Sequence, residues 1–241
     1  MTVFGALVTM TLRALLGRRR TLLMFVLAAL PVVVALAIRL GGGRPDAPEI
    51  LDTLVIRTVL PLIALVVGTA AMGSEIEDGT AVFLLIKPIA RWRIALAKLL
   101  VAAGLTTVLV VPPIIATGLL LGGVGSASVG TAFGFALAAI VGGTAYAVAF
   151  TTLGIVTSRA LVIGLGYTLL WEGVLAGLLE GTRFLSIRQA TLGVAATLTG
   201  VDVGVVALTP TVSLGILAVV IVGGFTLAAF ALRRFQVRAG D

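Results

Sequence analysis

The chain has 241 residues, 60% of them hydrophobic and 11% charged, with a mean hydropathy of +1.24. Soluble domains run closer to about half apolar and about a quarter charged, so this composition excludes a water-soluble globule and indicates an integral membrane protein. Neither Cys nor His occurs, which removes disulfides, thiol nucleophiles, the usual zinc sites and imidazole proton relays. The net charge of +7 reads as arginines flanking membrane helices, and no nucleic-acid partner is expected from it.

Residues 2–17 place Phe4, Leu7, Val8, Leu12 and Leu15 on one helical face and run into Arg18, Arg19 and Arg20. This predicts an amphipathic interface helix over about 1–20, lying on the membrane surface with its arginines at the headgroups of membrane lipid. A helix rises 1.5 Å per residue, so about 20 apolar residues cross a hydrocarbon core of about 30 Å. Six stretches meet that length: about 21–40, 54–74, 94–121, 129–153, 160–179 and 211–232. The long unbroken runs speak against a β-barrel, whose strands alternate over short segments. Pro31, Pro61, Pro112 and Pro113 fall inside spans, where kinks are expected. The first stretch is too long and too late for a cleaved signal peptide and is expected to remain as an anchor. Residues 180–210 are moderately apolar but carry Glu180, Arg183, Arg188 and Asp202. They read as an external segment, re-entrant if protein rather than lipid supports it.

Basic residues cluster before the first span, between spans two and three (Lys87, Arg91, Arg93, Lys98) and after the sixth (Arg233, Arg234, Arg238). The positive-inside rule then puts both termini, and the stretch 75–93, in the cytoplasm.

That stretch, EIEDGTAVFLLIKPIARWR, is charged in a chain that is otherwise mostly oil. Thr80 after Gly79 is a natural helix N-cap, with Asp78 near the positive end of the helix dipole. Val82, Leu85, Ile86 and Ile89 recur at helical spacing and give one apolar face, and Pro88 ends the helix by restricting Lys87. Glu75, Glu77, Asp78, Lys87, Arg91 and Arg93 then form a charged knob facing outward, a surface suited to gripping another protein.

The run from Gly73 to Lys98 resembles the permease subunits of ABC-2 type ABC transporters, which show acidic-x-acidic-x-Gly-Thr, then Leu-Leu, then Pro and Arg at this place. Glu75, Glu77, Gly79, Thr80, Leu84, Leu85, Pro88 and Arg91 match in order. Ala90 departs from the hydroxyl residue common before the arginine, which leaves the third span without a side-chain cap. The resemblance implies an all-α fold of six spans with an interface helix, a coupling helix between spans two and three, and an external re-entrant region before the last span. It also implies an exporter of a bacterial plasma membrane, working by alternating access. In such a transporter Glu75, Glu77, Asp78, Gly79, Thr80, Lys87, Pro88 and Arg91 would couple to a separate ATPase subunit. Two ATPases pair with two permeases, identical or homologous, and ATP and Mg are bound by the ATPases. In keeping with that division, no Walker A loop is found: neither Lys87 nor Lys98 follows a glycine. No cofactor or catalytic residue is expected in this chain.

Two rival readings stand beside this one. An ion-coupled secondary transporter or channel needs ionisable groups within its spans, and Glu172, beside Trp171, is the one carboxylate well inside a predicted span. These two residues are the candidates for a substrate pathway, or else mark the external interface and its aromatic belt. A non-transporting membrane scaffold would explain the spans and leave the charged knob without a role. Arg57 reads as snorkelling to the interface. Gly118 and Gly122 form a GxxxG, which in a chain with 30 glycines is expected by chance.

Overall fold

A computed structural model describes residues 3–15, 17–43, 46–77, 90–123, 125–175, 184–201 and 208–234. Among these residues every regular element is helical. In chain order they are α1 (Val3–Leu15), α2 (Arg18–Leu40), α3 (Ala47–Ile50), a π-helical segment π1 (Leu51–Val59) and α4 (Leu60–Glu77). There follow α5 (Arg91–Gly122), α6 (Ser126–Val156), α7 (Ala160–Gly166), a second π-helical segment π2 (Tyr167–Leu175), α8 (Ile187–Thr199) and α9 (Pro210–Arg234).

Among the described residues five helices are long and apolar enough to cross a membrane: Thr21–Leu40, Ala47–Met72, Arg91–Gly122, Ala127–Val156 and Pro210–Arg234. This is the pattern of an all-α, multi-pass membrane protein. The stretch expected over 160–179 appears as a shorter apolar helix, Ala160–Val174, and 176–183 lie outside the described residues. The second crossing begins earlier than its hydropathy suggests, because α3 and π1 continue into α4 without a break.

Glycines stop the helices where the chain must turn. Gly123 (φ 80°) follows α5 and Gly200 (φ 67°) follows α8, conformations that cost glycine little and other residues more. Prolines 112 and 113 stay inside α5, as expected of membrane helices packed against neighbours. No side chain caps the start of α5 at Ala90, as the missing hydroxyl implied.

The bundle is built around α6, which packs against α4, α5, α8 and α9. At one end α1 joins the end of α4, the start of α5 and the end of α9, through a cluster that includes Leu7, Met72, Ile94 and Leu232. The apolar face of α1 is thus docked on protein: Leu7 and Leu15 are buried, and Val8 and Leu12 pack against the core. At the other end a Cβ on Gly118 would stand 2.7 Å from the Ala132 Cβ, and one on Gly122 would stand 2.7 Å from Ser128. The GxxxG is therefore a contact seam between α5 and α6, since only a hydrogen lets the backbones approach that closely. Nearby, Arg39 Nη1 donates to the Leu120 carbonyl and ties α2 to α5.

Within the segment expected to be external, Ser186 caps α8, its Oγ accepting from the Gln189 N–H at 3.1 Å. Every residue from Ile187 to Ala195 is buried. α8 runs along α6, with Thr191 against Gly142 and Thr199 against Gly134, and Gly193 sits under Ser213 of α9. Protein supports this helix, which is the condition for irregular backbone at membrane depth.

Candidate functional site

Only the two ends of the charged stretch lie among the described residues. Glu75 and Glu77 lie in the last turns of α4. Asp78, Gly79, Thr80, Lys87 and Pro88 fall outside the described residues, as does the helix expected there. Arg91 opens α5. Its Nη1 donates to the Leu232 carbonyl at 2.6 Å, in the last turn of α9, where a helix leaves its carbonyls without backbone partners. Lys98, expected with the connecting charges, is 2% exposed and lies well inside α5, its Nζ donating to Ala71 O at 2.7 Å. The two cations fasten the start of α5 to α9 and to α4. Arg93 remains exposed and stacks over the Trp92 ring at 5.3 Å.

The second candidate region is more completely defined. Glu172 is 2% exposed, alongside Tyr146, which lies past the midpoint of α6. Its Oε1 accepts from Tyr167 Oη at 2.8 Å and from the Ile187 N–H at 3.0 Å, and its Oε2 accepts from Ser186 Oγ at 2.9 Å and the Arg188 N–H at 3.3 Å. The carboxylate of one helix therefore caps the N-terminus of another, where unpaired N–H groups and the dipole both favour negative charge. Arg188, itself 2% exposed, returns the contact by donating from Nη1 to the Glu172 carbonyl at 3.5 Å and extends Nη2 to within 3.8 Å of Asp52 Oδ2 in π1. Burial of these charges is tolerable because they are paired and hydrogen-bonded.

The register of π2 makes part of this network possible. Residues five apart stand about 140° apart around an α-helix, yet fall on one face when each turn closes one residue later. Tyr167 and Glu172 are five apart and hydrogen-bonded. In π1 the Thr58 hydroxyl donates to the carbonyl five residues back, Thr53 O, at 3.0 Å. The two π segments thus carry the two carboxylates that face Arg188.

Three atoms of the cluster lack a hydrogen-bond partner: Asp52 Oδ1, Arg188 Nε and Tyr146 Oη. The Tyr146 ring stacks on Phe150 at 5.9 Å, and Phe150 meets Tyr167 edge-on at 6.4 Å, which walls the site with aromatic surface. Trp171 is half-buried with its Nε1 also unpartnered. Glu172 and Trp171, singled out by position, are therefore found in different settings, the first saturated by donors and the second not. Ser186 and Arg188 were not legible as partners of Glu172, nor Asp52 as the partner of Arg188. The Ser186-x-x-Gln189 spacing before an apolar run was the available signal. Among the described residues no group of three or more His, Cys, Asp or Glu could hold a metal ion.

An open apolar groove of about 410 Å³ runs between α2 and α5, lined by residues that include Phe25, Val32, Val108, Pro112 and Pro113. No family model matches the chain, and no curated protein matches it.

Proposed function

We propose that the chain is the membrane-spanning permease subunit of an ATP-driven ABC-2 type exporter. The observation that carries this reading is the run Gly73–Lys98, with acidic-x-acidic-x-Gly-Thr, Leu-Leu, Pro and Arg in order between two apolar helices. On this reading there are six crossings, Ala160–Val174 and the residues after it forming the fifth, and both termini are cytoplasmic. Residues 75–93 dock on a separate ATPase that binds ATP and Mg, and two such ATPases serve two permeases in a bacterial plasma membrane. The arrangement at the two ends of that segment is what such coupling needs. A push on the segment between α4 and α5 is delivered to helices already tied together by Lys98 to Ala71 O and by Arg91 to Leu232 O. It moves α4, α5 and α9 as a group, and with them α1, whose Leu7 belongs to the same cluster. Binding energy at the ATPase then shifts the bundle between two states through differential contacts.

The buried Glu172 and Arg188, with the partly buried Asp52, favour a second reading, an ion-coupled transporter, since such proteins place ionisable groups and broken helices within the membrane. Against it, the Glu172 carboxylate is occupied on both oxygens by donors of its own chain.

The deciding experiment is co-expression with ABC ATPase subunits of the source genome, followed by co-purification and measurement of ATP turnover in liposomes. The chain alone should neither bind nor hydrolyse ATP. Glu77→Lys should weaken assembly by about 2 to 5 kcal/mol, the scale for mismatching a paired interfacial charge. Full complex yield and full turnover with Glu77→Lys would remove the coupling assignment.

A further inference from the structure

The Glu172 cluster has the construction of a catch. α8 lies in a trough of α6 made by absent side chains, with Gly142 under Thr191 and Gly134 under Thr199, and is nowhere part of a long crossing helix. Its outer end, Thr199 and Gly200, lies toward the start of α6, away from α1. At its inner end the Glu172 side chain takes the Ile187 and Arg188 N–H groups and the Ser186 hydroxyl together. That side chain is in turn held in place by Tyr167, through a bond that requires π register. Arg188 carries the connection across to Asp52 on π1. The closed arrangement leaves Asp52 Oδ1, Arg188 Nε and Tyr146 Oη without partners, and each such buried group weakens the closed form relative to one that admits water. A saturated pin beside unsatisfied neighbours, with the pin set by an unstable helical register, is suited to two positions rather than one.

We propose that Glu172 is the pin of a latch that holds α8 as a retractable plug in the end of the bundle away from α1, with Tyr167 and Arg188 as its positioning residues. When π2 relaxes to α-helical register, Glu172 turns away from Tyr167 and from the N-terminus of α8, and the plug is released. The latch does not depend on the exporter reading, since it is defined within this chain.

The chain has no cysteine, so single reporters can be placed without background. Ala190 in α8 and Ala64 in α4 are both fully buried. In the detergent-purified full chain, Ala190→Cys should react slowly with N-ethylmaleimide. Adding Glu172→Gln should raise that rate at least about tenfold, as expected when a charge-assisted set of bonds is lost. Tyr167→Phe deletes one bond and no charge, and should raise it about two- to tenfold. Ala64→Cys should stay protected in all three backgrounds. The latch is refuted by fast labelling of Ala190→Cys in the otherwise unaltered chain, by an unchanged rate on adding Glu172→Gln or Tyr167→Phe, or by an equal rise at Ala64→Cys, which would mean that the whole bundle has loosened. Should Glu172→Gln fail to fold, the Tyr167→Phe pair of measurements decides alone.

Discussion

α6 and α9 look interchangeable as membrane helices, yet they occupy opposite situations. The apolar core of α9 has a mean hydropathy of 2.4 and is 11% buried, whereas that of α6 has a mean hydropathy of 1.8 and is 67% buried. The less hydrophobic helix is the one inside. In lipid the usual ranking has no force, because the surroundings are as apolar as leucine, and close packing of small residues decides what is central. α6 offers Gly134 and Gly142 to α8 and Gly154 to α4, while Leu214, Val219, Val222, Leu227 and Phe230 of α9 are exposed. Where α9 does meet α6 it does so at a glycine: Gly224 lies against Val148, and the Thr152 hydroxyl donates to its carbonyl at 3.0 Å.

The comparison is broken most severely at the helix that fills the trough of α6. Arg188→Met removes the cation that faces Asp52 and leaves a largely buried carboxylate without its charge partner. The expected loss is about 3 to 5 kcal/mol, the scale for breaking a buried pair from one side. SDS titration in mixed micelles, followed by tryptophan fluorescence, gives the number. Adding Asp52→Asn should recover part of it, because the uncompensated charge is then gone. A loss below about 1 kcal/mol for the single variant would show that the pair is not holding α8.

The trough itself is tested by Gly142→Val. A Cβ at this position would collide with the Thr191 Oγ1, and the Thr191 side chain is pinned by donating to Ile187 O at 2.8 Å. Overpacking of a well-filled contact costs about 1 to 3 kcal/mol. The double variant Gly142→Val with Thr191→Ala should be milder than Gly142→Val alone, and equal losses for the two would place the strain elsewhere.

What could be read from the sequence divides along the same line. Length and hydropathy suffice for the long helices, because a crossing needs about 20 apolar residues whatever surrounds it. The helix α1 was legible for a related reason, its apolar residues returning at helical spacing, but that face was expected at the membrane surface and packs on protein instead. Hydropathy could not say which helix is central, and it placed the start of the second crossing at 54 when the helix runs from Ala47. Asp52 in π1 interrupts the apolar run, and its carboxylate is accommodated there by Arg188 of a distant helix. The same holds for Arg188, which reads as an exposed loop cation until α8 is packed against α6. Glu172 was visible as an oddity, but its partners are 5 to 16 residues away and meet it through a register that no local pattern announces. For Gly118 and Gly122 the spacing was visible and its weight was not, because glycine is frequent in this chain and only the facing Ala132 and Ser128 distinguish a seam from coincidence.

The smallest effect is expected on α9, and it tests the other half of the comparison. Gly215 is exposed, and a Cβ there would meet nothing within 4 Å. Its neighbours Leu214 and Val212 are also turned outward. If this face is solvated by lipid, a large apolar side chain is as welcome as the lipid tail it displaces, and leucine is the better helix former by somewhat under about 1 kcal/mol. Gly215→Leu should therefore leave stability within about 0.5 kcal/mol of the parent, or raise it slightly. Its thermal midpoint and its elution volume in the same detergent should both match the parent. A glycine that serves a helix contact behaves in the opposite way, as Gly142 does. A clear loss of stability, or a shift to a smaller assembly, would mean that the outward face of α9 is covered by another copy of the chain and that its exposure belongs to the single protomer alone.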